Sequence, residues 1–252
     1  MVLGIGQATA ADYPTRPIRL IVHFPAGSST DVIARTFGEN ISKKLGQQII
    51  IDNKPGADGA IAATELKRSA TDGYTIMLAT NSAMSGVPAT RKTPPYDVVA
   101  DFTPITEIGR YNFFLYVSKD VPVKTLKELL AYAKANPGKL AYGSGNITGR
   151  LAFASVVAAN NLDVTPVPYK GEPPAITDLI TNRIQAMVAT SGTGLPQVKT
   201  AKSWRWQQSS TSAALPRRMC LPSRKRASPT SRSNLGQACS ARRTCRATSW
   251  PC

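Results

Sequence analysis

Two short polar stretches carry residue types that could hold a small anion. Phe24-Pro25-Ala26-Gly27-Ser28-Ser29-Thr30-Asp31 closes the apolar run Ile18 to Phe24. Gly27 permits a tight turn, and Ser28, Ser29, Thr30 and Asp31 bring hydroxyls, an acid and backbone N–H groups to a helix start. Such a helix end attracts negative charge through its unpaired amides and its dipole. Plain helix capping is the alternative use of the same residues. Ser144-Gly145-Asn146-Ile147-Thr148-Gly149 is a second glycine-bearing passage from strand to helix. Thr80, Asn81 and Ser82 follow a third apolar run, and Tyr169, Lys170 and Gly171 end another with an aromatic wall and one cation. In open α/β sheets ligands bind beyond the carboxyl ends of the strands. Polar cradles on two lobes therefore point to a cleft that grips a small carboxylate.

Groups for catalysis are sparse. His23 is the only histidine and lies inside an apolar strand, where a core histidine is the simpler reading than a general base. No cysteine precedes residue 220. Ser28 and Ser29 have no evident His and acid partners for nucleophilic work. The acids are scattered, and no His-rich metal spacing occurs. Gly27 to Ser29 lacks the Gly-Lys-Ser/Thr core of a phosphate-binding loop, and Gly4-Ile5-Gly6 has no strand before it. The pattern favours a binder without metal or cofactor over an enzyme.

The elements that must position these loops alternate. Ile18 to Phe24 reads as a strand, and Val32, Ile33, Phe37, Ile41 and Leu45 recur at helical spacing. Gln48 to Ile51 is a second strand. Ala60 to Arg68 is a second helix, with Ile61 and Leu66 facing inward and Asp58 as its cap. Tyr74 to Ala79 is a third strand. Strands joined through helices predict right-handed crossovers and a mainly parallel sheet. The stretches Thr93 to Tyr96 and Asp101 to Pro104 mark a passage between lobes. Phe113 to Val117 resumes strand character, and Thr125 to Glu128 forms a capping box for a helix running to about Ala135. The pattern then predicts strands at Leu140–Gly143, Thr165–Tyr169 and Ile184–Val188. Helices are predicted at Leu151–Asn160 and Ala175–Thr181.

Composition changes abruptly at Lys202. Of the 31 Lys/Arg and 15 Asp/Glu, 11 basic and no acidic residues lie from Lys202 on, so the net charge of +16 is mostly tail. All four Cys (Cys220, Cys239, Cys245, Cys252) and all three Trp (Trp204, Trp206, Trp250) lie there too, with only three aliphatic residues, Leu215, Leu221 and Leu235. Such a segment cannot bury a core. Shifting the reading frame allows Lys202 to Leu215 to become V-V-A-L-A-T-V-V-D-K-R-R-T, a buried strand and a turn. A single-nucleotide slip near codon 202 is the favoured reading. A basic tail for nucleic acid or an anionic surface is the alternative. At the other end, residues 1–11 read as the remnant of a signal peptide, with Ala8-Thr9-Ala10 as a small-residue cleavage pattern.

Several ordered motifs resemble one family. They are Tyr13 to Val22 followed by Phe24-Pro25-Ala26-Gly27; Asp52 to Ala57 with Gly59; Asp72-Gly73-Tyr74-Thr75; Tyr96-Asp97 with Asp101-Phe102-Thr103-Pro104; and Val167 to Gly171. Residues 12 to 202 are similar to the periplasmic solute receptors of tripartite tricarboxylate transporters, the Bug family of betaproteobacteria. The resemblance implies a type II periplasmic-binding-protein fold, with lobe 1 at 12–104 and an incomplete lobe 2 at 105–201. It implies no catalysis, a small carboxylate ligand (a di- or tricarboxylate, an amino acid or an aromatic acid), and membrane transporter subunits as partners. Carry-over places the ligand near Ala26 to Asp31, with Thr80 to Ser82, Ser144 to Asn146 and Tyr169 to Gly171 completing the cleft. Ser28 departs from the family pattern, which usually has two glycines or Pro-Gly before the Gly-Ser/Thr.

On this reading the chain as written lacks the closing elements of lobe 1. We expect its thermal melt to be broad and its ligand response weak; calorimetry showing a sharp two-state melt with a ligand-dependent midpoint would contradict this.

Overall fold

A computed structural model describes residues 13–200 and 205–207. The chain order is β1 (Ile18–Val22), α1 (Ser29–Leu45), β2 (Ile49–Asn53), α2 (Ala60–Arg68), β3 (Thr75–Leu78) and α3 (Val87–Thr90) in a first lobe. The second lobe holds β4 (Phe113–Val117), α4 (Leu126–Ala135), β5 (Leu140–Ser144), α5 (Ile147–Ala159) and β6 (Val164–Pro168). It continues with α6 (Glu172–Ile180), β7 (Ala186–Thr190), α7 (Ser191–Thr200) and β8 (Arg205–Gln207).

Lobe 1 is built on a three-stranded parallel sheet in the order β2-β1-β3. Leu20, Val22, Ala34 and Leu78 form its core on one side, under Ile33 and Phe37 of α1. The inward residues of α2 are the small ones, Ala60, Ala62 and Ala63, whereas Ile61 is exposed. Val32 and Leu45 of α1 are also exposed. These three correct the predicted inward faces: alanines let the helix lie close to the sheet, which turns the larger side chains outward. Asp58 does not cap α2. It has left-handed φ (59°), no side chain caps the helix, and its carboxylate meets Arg150.

Lobe 2 is a five-stranded sheet in the order β6-β5-β7-β4-β8. β5 runs parallel to β6 and β7, while β4 is antiparallel to both β7 and β8. The expectation of a mainly parallel sheet, drawn from the first hundred residues, holds for lobe 1, whereas lobe 2 is mixed. The passage 103–112 carries no helix, so β4 enters without the crossover that enforces parallel pairing. Successive β4 side chains point to opposite faces. Leu115 and Val117 pack with Leu129, Tyr142 and Phe153; Tyr116 packs with Ile176, Leu179 and Ile184. Both faces are covered, which explains the unbroken apolar run Phe-Phe-Leu-Tyr-Val.

Other boundaries move. α5 starts at Ile147 rather than Leu151, and α6 at Glu172 rather than Ala175. Pro173 and Pro174 sit in the first turn of α6, where proline's missing N–H has no partner to lose. The capping box is present: Thr125 Oγ1 accepts from the Glu128 amide at 3.1 Å, and the Glu128 carboxylate accepts from the Lys124 and Thr125 amides. Three residues of the segment read as tail, Arg205–Gln207, form β8. The remainder of 202–252, and the leader reading of 1–11, lie outside the described residues.

Leu179 is fully buried between α6 and the sheet. Leu179→Ala should lower stability by about 2–5 kcal/mol through lost burial and a cavity, measured as the shift of the denaturant midpoint.

Candidate functional site

β1 delivers the chain into a turn at Gly27, whose φ of 80° suits glycine. Ser28 is the buried N-cap of α1, its Oγ accepting from the Asp31 amide at 3.2 Å. Asp31 turns back into the loop and accepts from Gly27 N, Arg35 Nε and Asn53 Nδ2, each at 3.0 Å. Burial opposes its charge, but the hydrogen bonds from Arg35, Gly27 and Asn53 together hold its pKa below the usual range. Ala26, Gly27 and Asp31 thus shape the loop and line neither cavity described next. The Asp31 charge is used within the loop.

Two cavities share the walls of one cleft, with Phe24, Ser82 and Asn146 common to both. The smaller, about 20 Å³, is bounded by Ser28, Ser29, Thr30 and Thr80 to Ser82 from lobe 1. Tyr111, Phe113, Asn146, Glu172 and Thr190 face them. The larger, about 240 Å³, lies between His23 with Gly56 to Gly59 and Ser144 to Asn146, Arg150, Pro168, Tyr169 and Lys170. Its volume falls below the roughly 300–1,000 Å³ of sites for drug-sized ligands, which suits a molecule of few atoms. Gly171 lines neither, but it is buried against the first loop: a Cβ there would meet Pro25 Cγ at 2.5 Å. Gly145 is as tightly held, with the Gly171 and Glu172 backbone 2.5 Å from any added Cβ.

The N-terminal ends of α1, α5 and α6 all meet this cleft, through Ser28, Asn146 and Glu172. Asn146 Oδ1 accepts from the Gly149 amide at 2.7 Å. Three hydroxyls use an oxygen lone pair elsewhere and keep a proton to donate. Ser28 accepts from Asp31 N, Thr30 accepts from Tyr111 OH at 3.0 Å, and Thr148 accepts from Asn81 Nδ2 at 2.6 Å. Amide ends and committed hydroxyls make a donor-rich surface for an anion. The cations of the larger cavity are Arg150, which meets Asp58 at 3.3 Å, and Lys170, which is exposed and forms no ion pair among the described residues. Tyr169 is a wall, and its OH donates to Asp178 at 2.8 Å. Burial, with Asp178 adding, pushes its pKa up to about 12.

Reasoning from sequence missed Tyr111, Glu172, Thr190 and Thr193. Glu172 is 4% exposed. Its Oε1 accepts from Asn146 Nδ2 at 2.7 Å and Thr190 N at 3.0 Å, and its Oε2 from Thr190 Oγ1 at 2.5 Å. Burial raises its pKa, and donors from Thr190, Thr193 and Asn146 offset part of the rise. Thr193 Oγ1 in turn accepts from Ser29 N at 3.0 Å, and Ser29 Oγ lies 2.5 Å from Thr190 Oγ1. Thr190 ends β7, so the carboxyl-end rule applied to that strand would have found it. Glu172 and Thr193 carried no comparable signal.

His23 is buried as expected of a core histidine. Thr80 Oγ1 lies 3.0 Å from its Nε2, while its Nδ1, against Gly59, has no hydrogen-bond partner. No acid among the described residues orients it, and burial lowers its pKa to about 4.

A cleft between two α/β lobes, lined by helix N-termini and hydroxyls, defines a two-lobed periplasmic-binding-protein fold. The chain matches the tripartite tricarboxylate transporter family receptor over residues 33–221, and it belongs to that family. The match continues past Lys202, where the composition changes. The chain is similar to the UPF0065 protein in the gbd 5' region of Cupriavidus necator, 39% identical over 186 residues, covering 73% of this chain and 56% of that one. It resembles the structure of R. palustris Rpa4515 with adipate (TM-score 0.73, 32% identity, 77% of this chain and 65% of that one). It also resembles MatC from Rhodopseudomonas palustris with bound malate (TM-score 0.70, 26% identity, 78% of this chain and 68% of that one). The chain thus spans a little over half the length of that curated relative.

His23 carries a pH prediction. Above about pH 6.5 the folded and unfolded chains both hold it neutral. Between there and about pH 4 the unfolded chain takes up a proton that the folded chain refuses, so this contribution to stability is lost as pH falls. Denaturant titrations at pH 7 and 5 should show a loss of up to about 1.4 kcal/mol per pH unit that His23→Gln removes.

Proposed function

We propose that this chain is the ligand-capturing part of an extracytoplasmic receptor that takes up a small carboxylate and delivers it to the membrane subunits of a tripartite transporter. The observation that carries the reading is the cleft itself. Three helix N-termini and hydroxyls with spare protons converge where a carboxylate needs donors. The family membership and the adipate and malate held by its structural relatives support the ligand class. A periplasmic location follows from the same reading. Ser28, Ser29, Thr30, Thr80, Asn81, Ser82, Ser144, Gly145, Asn146, Tyr169 and Lys170 are the proposed walls, with Gly171 as a spacer between loops.

We also propose that the segment after about residue 202 is out of frame, which its acid-free composition supports. Sequencing the coding DNA from codon 195 to codon 225 tests this. One base added or missing supports the slip, and an intact frame removes it.

Thermal shift with malate, adipate, aspartate and benzoate tests the binding function on the 252-residue chain and, where a slip is found, on the frame-restored product. At least one acid should raise the midpoint, more strongly in the restored product. Gly145→Ala should abolish the shift, because its Cβ would drive the Ser144–Asn146 loop off the start of α6. No shift with any acid in either product would reject the function.

A further inference from the structure

We infer that Glu172 is a positioning residue of the cleft: its carboxylate sets the direction of the hydrogen bonds that run through Asn146 and Thr190 to Ser29, and so holds the two lobes in contact at the ligand site. The ligand arm of this inference rests on the proposed binding function; the lobe contact does not.

Two of the donors to Glu172 cannot reverse. Asn146 Nδ2 and Thr190 N can only donate, and both point at Glu172 Oε1, at 2.7 and 3.0 Å. An ionised carboxylate can only accept, so the Thr190 hydroxyl donates to Oε2. Thr190 Oγ1 is then left as an acceptor for Ser29 Oγ–H at 2.5 Å. Thr193 Oγ1 accepts from Ser29 N at 3.0 Å and lies 2.8 Å from Ser29 Oγ. The Thr193 hydroxyl has the Glu172 carboxylate, Thr190 Oγ1 and Ser29 Oγ within reach, and the contacts between Ser29 and Thr193 join α1 of lobe 1 to α7 of lobe 2. The same carboxylate fixes the side-chain amide of Asn146. That leaves Oδ1 on the Gly149 amide and aims the start of α5 at the cleft.

No cation forms an ion pair with Glu172 among the described residues. The titratable groups facing it are Tyr111 in the interlobe passage and Tyr116 on β4. Burial, with the Glu172 charge adding, raises both tyrosines, so they stay neutral. A protonated Glu172 would donate from Oε2 into Thr190 Oγ1 and reverse the chain of bonds toward Ser29. Glutamine in its place would do the same at every pH while keeping the shape. Aspartate would keep the charge at a shorter reach.

Hydrogen exchange of the ligand-free 252-residue chain, read on peptides spanning residues 24–37 and 186–197, tests the lobe contact. Glu172→Gln should speed exchange at the Ser29 amide by about tenfold or more, as expected for loss of a charge-assisted bond, and Glu172→Asp by less. Thr190→Val should match Glu172→Gln. After correction for intrinsic rates, and in a His23→Gln background that removes the histidine contribution, protection of the Ser29 amide should fall as pH is lowered, and adding Glu172→Gln should remove that fall. Unchanged Ser29 exchange in Glu172→Gln, or greater damage from Asp than from Gln, would overturn the inference in favour of packing alone. Affinity for malate or adipate should follow the same order of variants. A wild-type chain that binds neither acid yet shows the exchange pattern would reject the binding function and keep the role of Glu172.

Discussion

A carboxyl group is buried at the first turn of α6 with no cation beside it among the described residues, and only hydrogen-bond donors make that tolerable. Taking an isolated charge out of water costs far more than a small domain's net stability. Glu172 is held by an amide of β7, the Thr190 hydroxyl and the Asn146 side chain, with the positive end of its own helix behind it. Those donors are the residues that also line the cleft. The need to satisfy one acid therefore organises the caps of α5, the end of β7 and the contact with α1.

Close approach of backbone to backbone is the second requirement. Gly145 lies against the start of α6, Gly149 against the Val188 carbonyl, and Gly171 against Pro25. At each, an added Cβ would fall within about 2.5 Å of a neighbour. These glycines are chosen for space rather than for unusual dihedrals, in contrast to Gly27. Together they bring three helix N-termini to one place, where oriented amides and hydroxyls present donors without a dedicated cation. Ile147, packed among Ala60, Ala63 and Val87, adds an apolar contact between the lobes beside the polar one.

Much of the fold was legible because local chemistry and tertiary packing agree. Ala60–Arg68 and Phe113–Val117 occur with the predicted bounds, since turn residues end them and a single face or a doubly covered run fills them. The polar loops at strand ends were legible for the same reason: Gly with Ser, Thr or Asn before a helical pattern has few other uses. The inward face of α1 was legible in part, through Ile33 and Phe37 but not Val32 or Leu45, and that of α2 was missed at Ile61. Hydrophobic periodicity favours large side chains, whereas close helix–sheet contact selected alanine and glycine.

By itself the amino-acid sequence determined the alternation of elements, the two lobes, the sparse catalytic chemistry and the positions of the polar loops, because these depend on near neighbours and composition. It also placed the break in composition at Lys202. Only the tertiary structure decided which of those loop residues face a cavity. Asp31 and Gly27 turned inward to their own loop, while Tyr111, Thr190 and Thr193, remote in sequence, arrived at the cleft. It also decided that β4 runs antiparallel. The physical reason is common to these cases: hydrogen bonds across 80 to 160 residues, such as Tyr111 to Thr30 and Ser29 to Thr190, are satisfied only once the lobes have met.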